Sequence, residues 1–311
     1  MIVQGLRSHS EKKLSIIVTA HNLEDLIGRC LKSIIECLYK VPYDDYEVLM
    51  IDDNSSDLTT TILKMFESEN ESFHYVKTSF HNIGKVRNYG VNISRGKYIT
   101  FIDGDDSLAK FNMGKVISLL DDNSPDILLS KMHEVFKPSE EVVKAHIGKP
   151  IKLSKNKAIQ KFLIHKDFQA HLWGKFLKRD LFYSLRFPEV TCYEDALAFP
   201  ILLNNCEKIY YIDEKIYNYI KHSGSLSSYI DSDKADLMAD AVKCMFDTFG
   251  AHFNSLTACH AIDLVNKHKE KLSKEKYDLL VNRLNSLSKI KFYFDPKVRM
   301  SFKRKLFSIK L

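Results

Sequence analysis

Residues 14–20 read LSIIVTA, apolar except for Ser15 and Thr19. A run this short and this continuously apolar suits a strand buried on both faces; a strand with one solvated face would alternate. The residues after it decide the topology. Leu26, Ile27, Cys30, Leu31, Ile34, Ile35 and Leu38 recur at helical spacing within 23–38. EVLMID (47–52) is a second buried strand, and Asp57 is expected to cap a helix running through Phe66. FHYVKT (73–78), a helix over 85–94, KYITFID (97–103) and a strand over 126–131 continue the series. Strand and helix alternating at these intervals require crossover connections, hence an α/β fold with a mainly parallel sheet flanked by helices.

Beyond 132 the alternation stops. A charged stretch over 135–152 reads as loop or hairpin. Helices are expected near 154–165, 170–185 and 193–204, with strands at 208–213 and 215–220. From 232 the pattern is helical throughout and ends in a basic tail. Residues 288–311 hold eight basic side chains against Asp295 alone, a net +7, whereas the chain of 311 residues carries +6 in all. The body is therefore close to neutral. The division expected is a domain over 1–230, split into halves at 108, and a helical extension over 231–311. No apolar run approaches the ~20 residues of a membrane-spanning helix. The opening MIVQGLRSHSEKK has no apolar stretch of the secretory kind. Six cysteines without any CxxC pair read as reduced, mostly buried thiols of a cytoplasmic protein.

Parallel sheets bind ligands beyond the carboxyl ends of their strands. The residues there are Thr19-Ala20-His21-Asn22, Asp52-Asp53-Asn54-Ser55 and Asp103-Gly104-Asp105-Asp106. Three carboxylates within four residues repel one another unless a cation or hydrogen bonds compensate. Hard oxygen donors suit Mg²⁺ or Mn²⁺, which bind through one or two carboxylates plus substrate phosphates. A plain Asp/Gly turn is the competing reading. The second acidic turn, read alone, caps a helix; two such turns after successive strands point to a ligand. An EF-hand is excluded, because Leu108 stands where that loop needs Gly and Gly114 where it needs Glu. No GxGxxG follows a strand. The run Gly90–Tyr98 has one residue too many for a P-loop, ends in Tyr, and precedes its strand.

Three blocks, SIIVTAHN, VLMIDDNSSD and HNIGKVRNYGVNISRGKYITFIDGDD, stand in an order and spacing that resemble the family 2 glycosyltransferases. Weaker likenesses follow in HLWGKFLKRDLF (171–182), CYEDALAFP (192–200) and IYNYIKHSGSLSS (216–228). The resemblance implies a GT-A fold with a Rossmann-like sheet, and an inverting, metal-dependent transfer of sugar from a nucleotide donor. By that resemblance Thr19, His21 and Asn22 cradle the uracil of a UDP-sugar, with His21 where many relatives carry a stacking Tyr. Asp53 reads uracil or ribose, and Arg87 helps hold the donor. Asp103 and Asp105 match the DXD pair, with Asp105 the more direct ligand of Mn²⁺ or Mg²⁺. Asp195 matches the catalytic base, with Glu194 before it the next candidate for that catalytic role. Lys175 and His222 are expected either to contact the diphosphate as mobile cations or to lie on the surface. Trp173 either lines the acceptor pocket or fills the core. His165 and His171 receive no role.

The acceptor implied is a glycan or lipid-linked acceptor in surface polysaccharide assembly. The basic tail, interleaved with aromatics, is expected to touch an anionic membrane surface rather than nucleic acid, placing the protein peripherally on the cytoplasmic face. Its alternative is a helix closing the core. A sugar-nucleotide pyrophosphorylase would carry a Gly-rich segment where Ala20–Glu24 stands. The other rival is a non-catalytic nucleotide-sugar or glycan-binding protein on a decayed transferase fold; the two acidic turns and Glu194-Asp195 speak against it.

Overall fold

The computed structural model describes residues 11–221 and 230–309. β1 (Lys12–Ala20), α1 (Ile27–Leu38), β2 (Tyr46–Asp53), α2 (Thr59–Glu69), β3 (Phe73–Thr78), α3 (Ile83–Ile93) and β4 (Gly96–Asp103) follow the expected alternation. Next come β5 (Ser107–Leu108), α4 (Met113–Asn123), β6 (Ile127–Val135), β7 (Ile151–Leu153), α5 (Lys155–Leu163) and β8 (Lys175–Lys178). α6 (Glu194–Asn205) and β9 (Ile209–Ile220) precede the helices α7 (Ser232–Phe249), α8 (Asn254–His268), α9 (Lys274–Asn285), α10 (Lys289–Phe294) and α11 (Met300–Ser308).

One sheet runs in the order β3-β2-β1-β4-β8-β6-β9-β5, with β7 on β9. Its first four strands are parallel; β8 enters antiparallel between β4 and β6, and β6 pairs parallel with β9. This is an α/β sheet flanked by helices, with a helical C-terminal part. The register places the chemistry. Thr19 stands opposite Asp103, Ala20 opposite Asp52, and Asp53 opposite Thr78, so three strand ends share one edge.

By their internal contacts the residues form two compact units. The first comprises the described residues of Met1–Leu153, Leu172–Arg186 and Glu207–Lys221; the second those of Ser154–His171, Phe187–Cys206 and His222–Leu311. The sequence-based boundary at 230 follows chain order, whereas the contacts group 154–171 and 187–206 with the later helices. The first unit is held by the buried faces of β1, β2 and β4 packed against α1. The second has an aromatic centre, with Phe162 edge-on to Phe199 at 5.2 Å and to Phe249 at 5.9 Å.

Two expected elements differ. The helix expected over 170–185 is instead β8 followed by a 3₁₀ turn, Arg179–Tyr183. Leu172, Trp173, Phe176 and Leu177 fit a helical period, but Gly174 sits at φ 65°, where a helix cannot continue. Leu177 then pairs with Ile99 on one side and Ile127 on the other, so backbone bonding within the sheet overrides the local pattern. The two strands expected over 208–220 are one strand of twelve residues, its irregularity taken up by register shifts against β6 around Lys131. The helix after Asp57 starts one residue late, capped at Leu58, though the Asp57 carboxylate still accepts the Thr59 N–H at 3.0 Å. All six cysteines are free, and only Cys244 is not fully buried. Among the described residues no helix is long and apolar enough to cross a membrane.

Candidate active site

At the end of β2, Asp52 turns inward. Its carboxylate accepts from the Ser55 N–H at 2.9 Å, the Thr60 hydroxyl at 2.5 Å and the Tyr75 hydroxyl at 3.3 Å. Burial works to raise its pKa, but these hydrogen bonds, from Ser55 and Thr60 above all, outweigh it and hold the carboxyl below the ordinary range. Asp52 is thus a folding device. Asp53 is buried as well, and its Oδ1 accepts from the Thr78 hydroxyl at 2.9 Å and the Phe80 N–H at 2.6 Å. No hydrogen bond among the described residues reaches its Oδ2.

His21 is exposed beside it. Its Nδ1 lies 2.7 Å from the Asp53 carbonyl oxygen, which can only accept, so that nitrogen carries the proton. The Asn22 amide donates to His21 Nε2 at 3.2 Å, and Asn22 Oδ1 accepts the Ser56 N–H at 2.8 Å. Asn22 adopts φ 52°, a left-handed conformation that Asn tolerates better than most residues. The ends of β1 and β2 are therefore laced together, with an imidazole held upright on top.

The third turn has a division of labour among its acids. Asp103 Oδ1 accepts from the nearly buried Arg87 guanidinium at 2.9 Å and from the Thr19 hydroxyl at 3.3 Å. The Gly104 N–H donates to the Thr19 carbonyl at 2.9 Å, and a Cβ at Gly104 would stand 2.8 Å from that same oxygen. Only glycine permits this approach. Asp105 is partly exposed, and its carbonyl accepts from Arg29 at 3.0 Å. Asp106 is 0% exposed, its oxygens accepting from the Tyr217 hydroxyl at 2.6 Å and the Ile220 N–H at 2.8 Å. Burial first, then the charges of Asp105 and Asp103, push its carboxyl well above the usual range.

These donors suit a small hard cation. Two carboxylates reach solvent on one turn while the third acid faces the core, and Mg²⁺ or Mn²⁺ typically takes one or two carboxylates and completes its shell from phosphate and water. Among the described residues there is no cluster of three or more His, Cys, Asp or Glu placed to hold a metal.

In the second unit, Glu194 and Asp195 open α6. Glu194 is buried. Asp195 Oδ1 accepts the Ala196 N–H at 2.7 Å, and Oδ2 lies 3.1 Å from His171 Nδ1. The side chain of Asp195 is 14% exposed and that of His171 34%. Tyr193, immediately before, holds φ 61°, a strained conformation for an aromatic residue and one that costs ~1–3 kcal/mol. The pairing of His171 with Asp195 spans 24 residues, and no local pattern in the sequence marks it.

The remaining expectations resolve less evenly. Trp173 is 5% exposed, stacked on Tyr217 at 4.9 Å and 11°, so burial favours its core-filling alternative. Lys175 is buried in β8 beside Leu129, a fixed cation rather than a mobile one. His222 lies outside the described residues. Arg29 and Tyr217, both bonded to the acid turn, had no sequence signal beyond lying on α1 and β9.

Residues 15–185 match the model of glycosyl transferase family 2, more than half of the chain. The chain belongs to glycosyl transferase family 2. GlyA of Streptococcus pneumoniae serotype 4 is 29% identical to this family 2 chain over 225 residues, covering 70% of it but 32% of GlyA. A poly(ribitol-phosphate) beta-glucosyltransferase of Bacillus spizizenii is 31% identical over 122 residues, 39% of this chain and 19% of that protein. The chain thus spans a third or less of the length of these two relatives. Residues 1–349 of S. aureus TarS, solved in complex with UDP-GlcNAc, superpose with a TM-score of 0.66 at 21% identity, covering 93% of this chain and 82% of that one. That likeness shows the GT-A fold.

Proposed function

We propose that this family 2 chain transfers a sugar from a UDP-sugar to a hydroxyl of a glycan or lipid-linked acceptor, with inversion at the anomeric carbon. The observation that carries this reading is the register that brings Thr19, Asp53 and Asp103 to one sheet edge, with the partly exposed Asp105 beside them. Asp53 Oδ2 accepts the uracil imide N–H, and the exposed His21 ring offers its face to the base. Arg87 and Thr19 fix Asp103 so that it and Asp105 present oxygen to a cation. A bound Mg²⁺ or Mn²⁺ supplies charge neutralisation for the departing diphosphate. TarS with UDP-GlcNAc, and a Pyrobaculum calidifontis mannosyltransferase with GDP-Man and Mn²⁺ at a TM-score of 0.53, are similar folds solved with such ligands.

Asp195 is the proposed base. It takes the proton of the acceptor hydroxyl as that oxygen bonds to the anomeric carbon and the bond to the diphosphate breaks, a contribution of ~10²–10⁴-fold. Both its oxygens are held, one by the first turn of α6 and one by His171, so the carboxylate is oriented before an acceptor arrives. Glu194, the next candidate, is buried.

The tail is the proposed membrane contact. Ile290, Phe294, Met300 and Phe307 are 61–83% exposed among its basic side chains, while Phe292, Val298 and Leu306 point inward. One face of the tail thus packs inward, and the other is apolar and cationic, which supports the membrane reading.

The deciding experiment is a thermal-shift titration. UDP with Mn²⁺ should raise Tm, because a ligand that binds only the native state stabilises it by mass action. Asp105→Ala should remove the metal dependence. Equal shifts in Mn²⁺ and in EDTA for the wild type would sink the metal assignment.

A further inference from the structure

Tyr217 lies on β9, 114 residues from the turn it touches. Its hydroxyl stands between two partners: it donates to Asp106 Oδ2 at 2.6 Å and accepts the backbone N–H of Asp103 at 3.2 Å. Asp106 in turn closes the turn from inside, its own N–H donating to the Asp103 carbonyl at 3.0 Å and its Oδ1 taking the Ile220 N–H. The Tyr217 ring is clamped by Trp173, nearly parallel at 4.9 Å, so the hydroxyl has no freedom to follow a shifting turn. Asp106 and Tyr217 are both 0% exposed, and every contact lies within the first unit. The turn 103–106 is thus referenced to the core at its first backbone amide and its last side chain, with the two carboxylates of Asp103 and Asp105 between.

We propose that Tyr217, with Asp106, is the positioning device of the cation site: it holds the two partly exposed carboxylates at the separation a divalent cation needs, without touching the cation. The proposal rests on the metal reading above. The carboxylates of Asp103 and Asp105, two residues apart, would otherwise spread by mutual repulsion, and a short turn resists this only if tied from behind. The tie runs through a buried phenol instead of an exposed cation, so water cannot loosen it. Outer-shell partners of this kind typically contribute 10- to 100-fold in metal affinity.

Tyr217→Phe tests this, since it keeps the ring and its stack on Trp173 and removes only the bridging oxygen. Asp106→Asn is the second variant; it changes the acid while keeping an acceptor for the Ile220 N–H. Tyr98→Phe is the control, because Tyr98 is an equally buried tyrosine of the same unit whose hydroxyl donates to the Pro125 carbonyl at 2.9 Å, away from the turn. The full chain would be titrated with Mn²⁺ in saturating UDP, free Mn²⁺ being read by electron paramagnetic resonance, with Tm measured in parallel. Tyr217→Phe and Asp106→Asn should weaken Mn²⁺ binding by ~10–100-fold. Tyr98→Phe should lower Tm yet bind Mn²⁺ as the wild type does. Wild-type Mn²⁺ affinity in both turn variants, with only Tm reduced, overturns the proposal and leaves the metal site intact. Absence of Mn²⁺ binding in the wild type overturns both together.

Discussion

Replacing Asp53 by Ala and by Asn should separate two functions of one side chain. Its Oδ1 holds the chain leaving β3 through the Thr78 hydroxyl at 2.9 Å and the Phe80 N–H at 2.6 Å. Hydrogen bonds to a charged acceptor are worth ~1.5–3 kcal/mol each, so Asp53→Ala forfeits about 3 kcal/mol at the low end. For a domain of this size that lowers Tm by roughly 6–12 °C. Asp53→Asn keeps a carbonyl oxygen for Thr78 and Phe80 and loses about 1 kcal/mol, the difference between a charged and a neutral acceptor. The amide must then point its NH₂ where Oδ2 was. A donor would face the uracil imide donor, a mismatch of about 2–3 kcal/mol, or roughly 30- to 150-fold in UDP affinity. Calorimetric titration of UDP, together with thermal melts, reads both quantities. The Asn variant should be nearly as stable as wild type and bind UDP poorly. If it binds UDP within about threefold of wild type, Asp53 serves only the fold and the base-reading argument is wrong.

Asp195→Asn should cut turnover by ~10²-fold or more with UDP affinity unchanged; near-normal turnover would move the base elsewhere. His171→Asn, which keeps a donor near Nδ1, should retain more turnover than His171→Leu at equal donor KM. Acid should weaken the second unit, where the His165 and His260 rings meet at 4.8 Å. Burial, then His260, pushes His165 down to about 4, and burial lowers His260 as well. The unfolded chain therefore takes up protons first, and stability held above pH ~6.5 falls as pH drops toward 4. His165 is exposed as a residue although its surroundings desolvate the ring, so with solvent screening allowed for the loss is about 1 kcal/mol, or roughly 2–4 °C in Tm, and His165→Asn should flatten the slope. The 311-residue chain should sediment with anionic vesicles at low salt and be released at high salt, each basic residue near the surface adding ~1 kcal/mol. Phe294→Ser with Phe307→Ser should weaken that binding without unfolding the chain, since both rings are exposed; an intact protein that ignores such vesicles refutes the membrane assignment.

The first half of the sheet was legible because its signals are local. A strand buried on both faces is apolar throughout, and β1 through β4 declare themselves within seven or eight residues each. The edge that gathers Thr19, Asp53 and Asp103 follows from parallel pairing, which sequence periodicity implies. Legibility failed where distant segments decide. Leu177 belongs to a strand because Ile99 and Ile127 lie on either side of it, a fact no window around 177 contains. The Tyr217 hydroxyl and the His171–Asp195 pair are invisible for the same reason. The three acids at 103–106 could be counted from sequence, but not sorted into one ion-paired, one partly exposed and one buried.

The place of β8 sets an order of events during synthesis. β1 to β4 pair in sequence as they emerge, and local crossovers assemble them early. The edge of β4 then remains open until Lys175–Lys178 has been made, and β6 gains its second neighbour only with Ile209–Ile220. Until then, unpaired backbone on an apolar strand is exposed to any other chain within reach. Contacts across such sequence separations also form slowly, because loop closure must precede the pairing that rewards it. The nascent chain is thus most vulnerable to aggregation while its first four strands are already paired, and a truncation ending before residue 175 should be recovered mainly as aggregate.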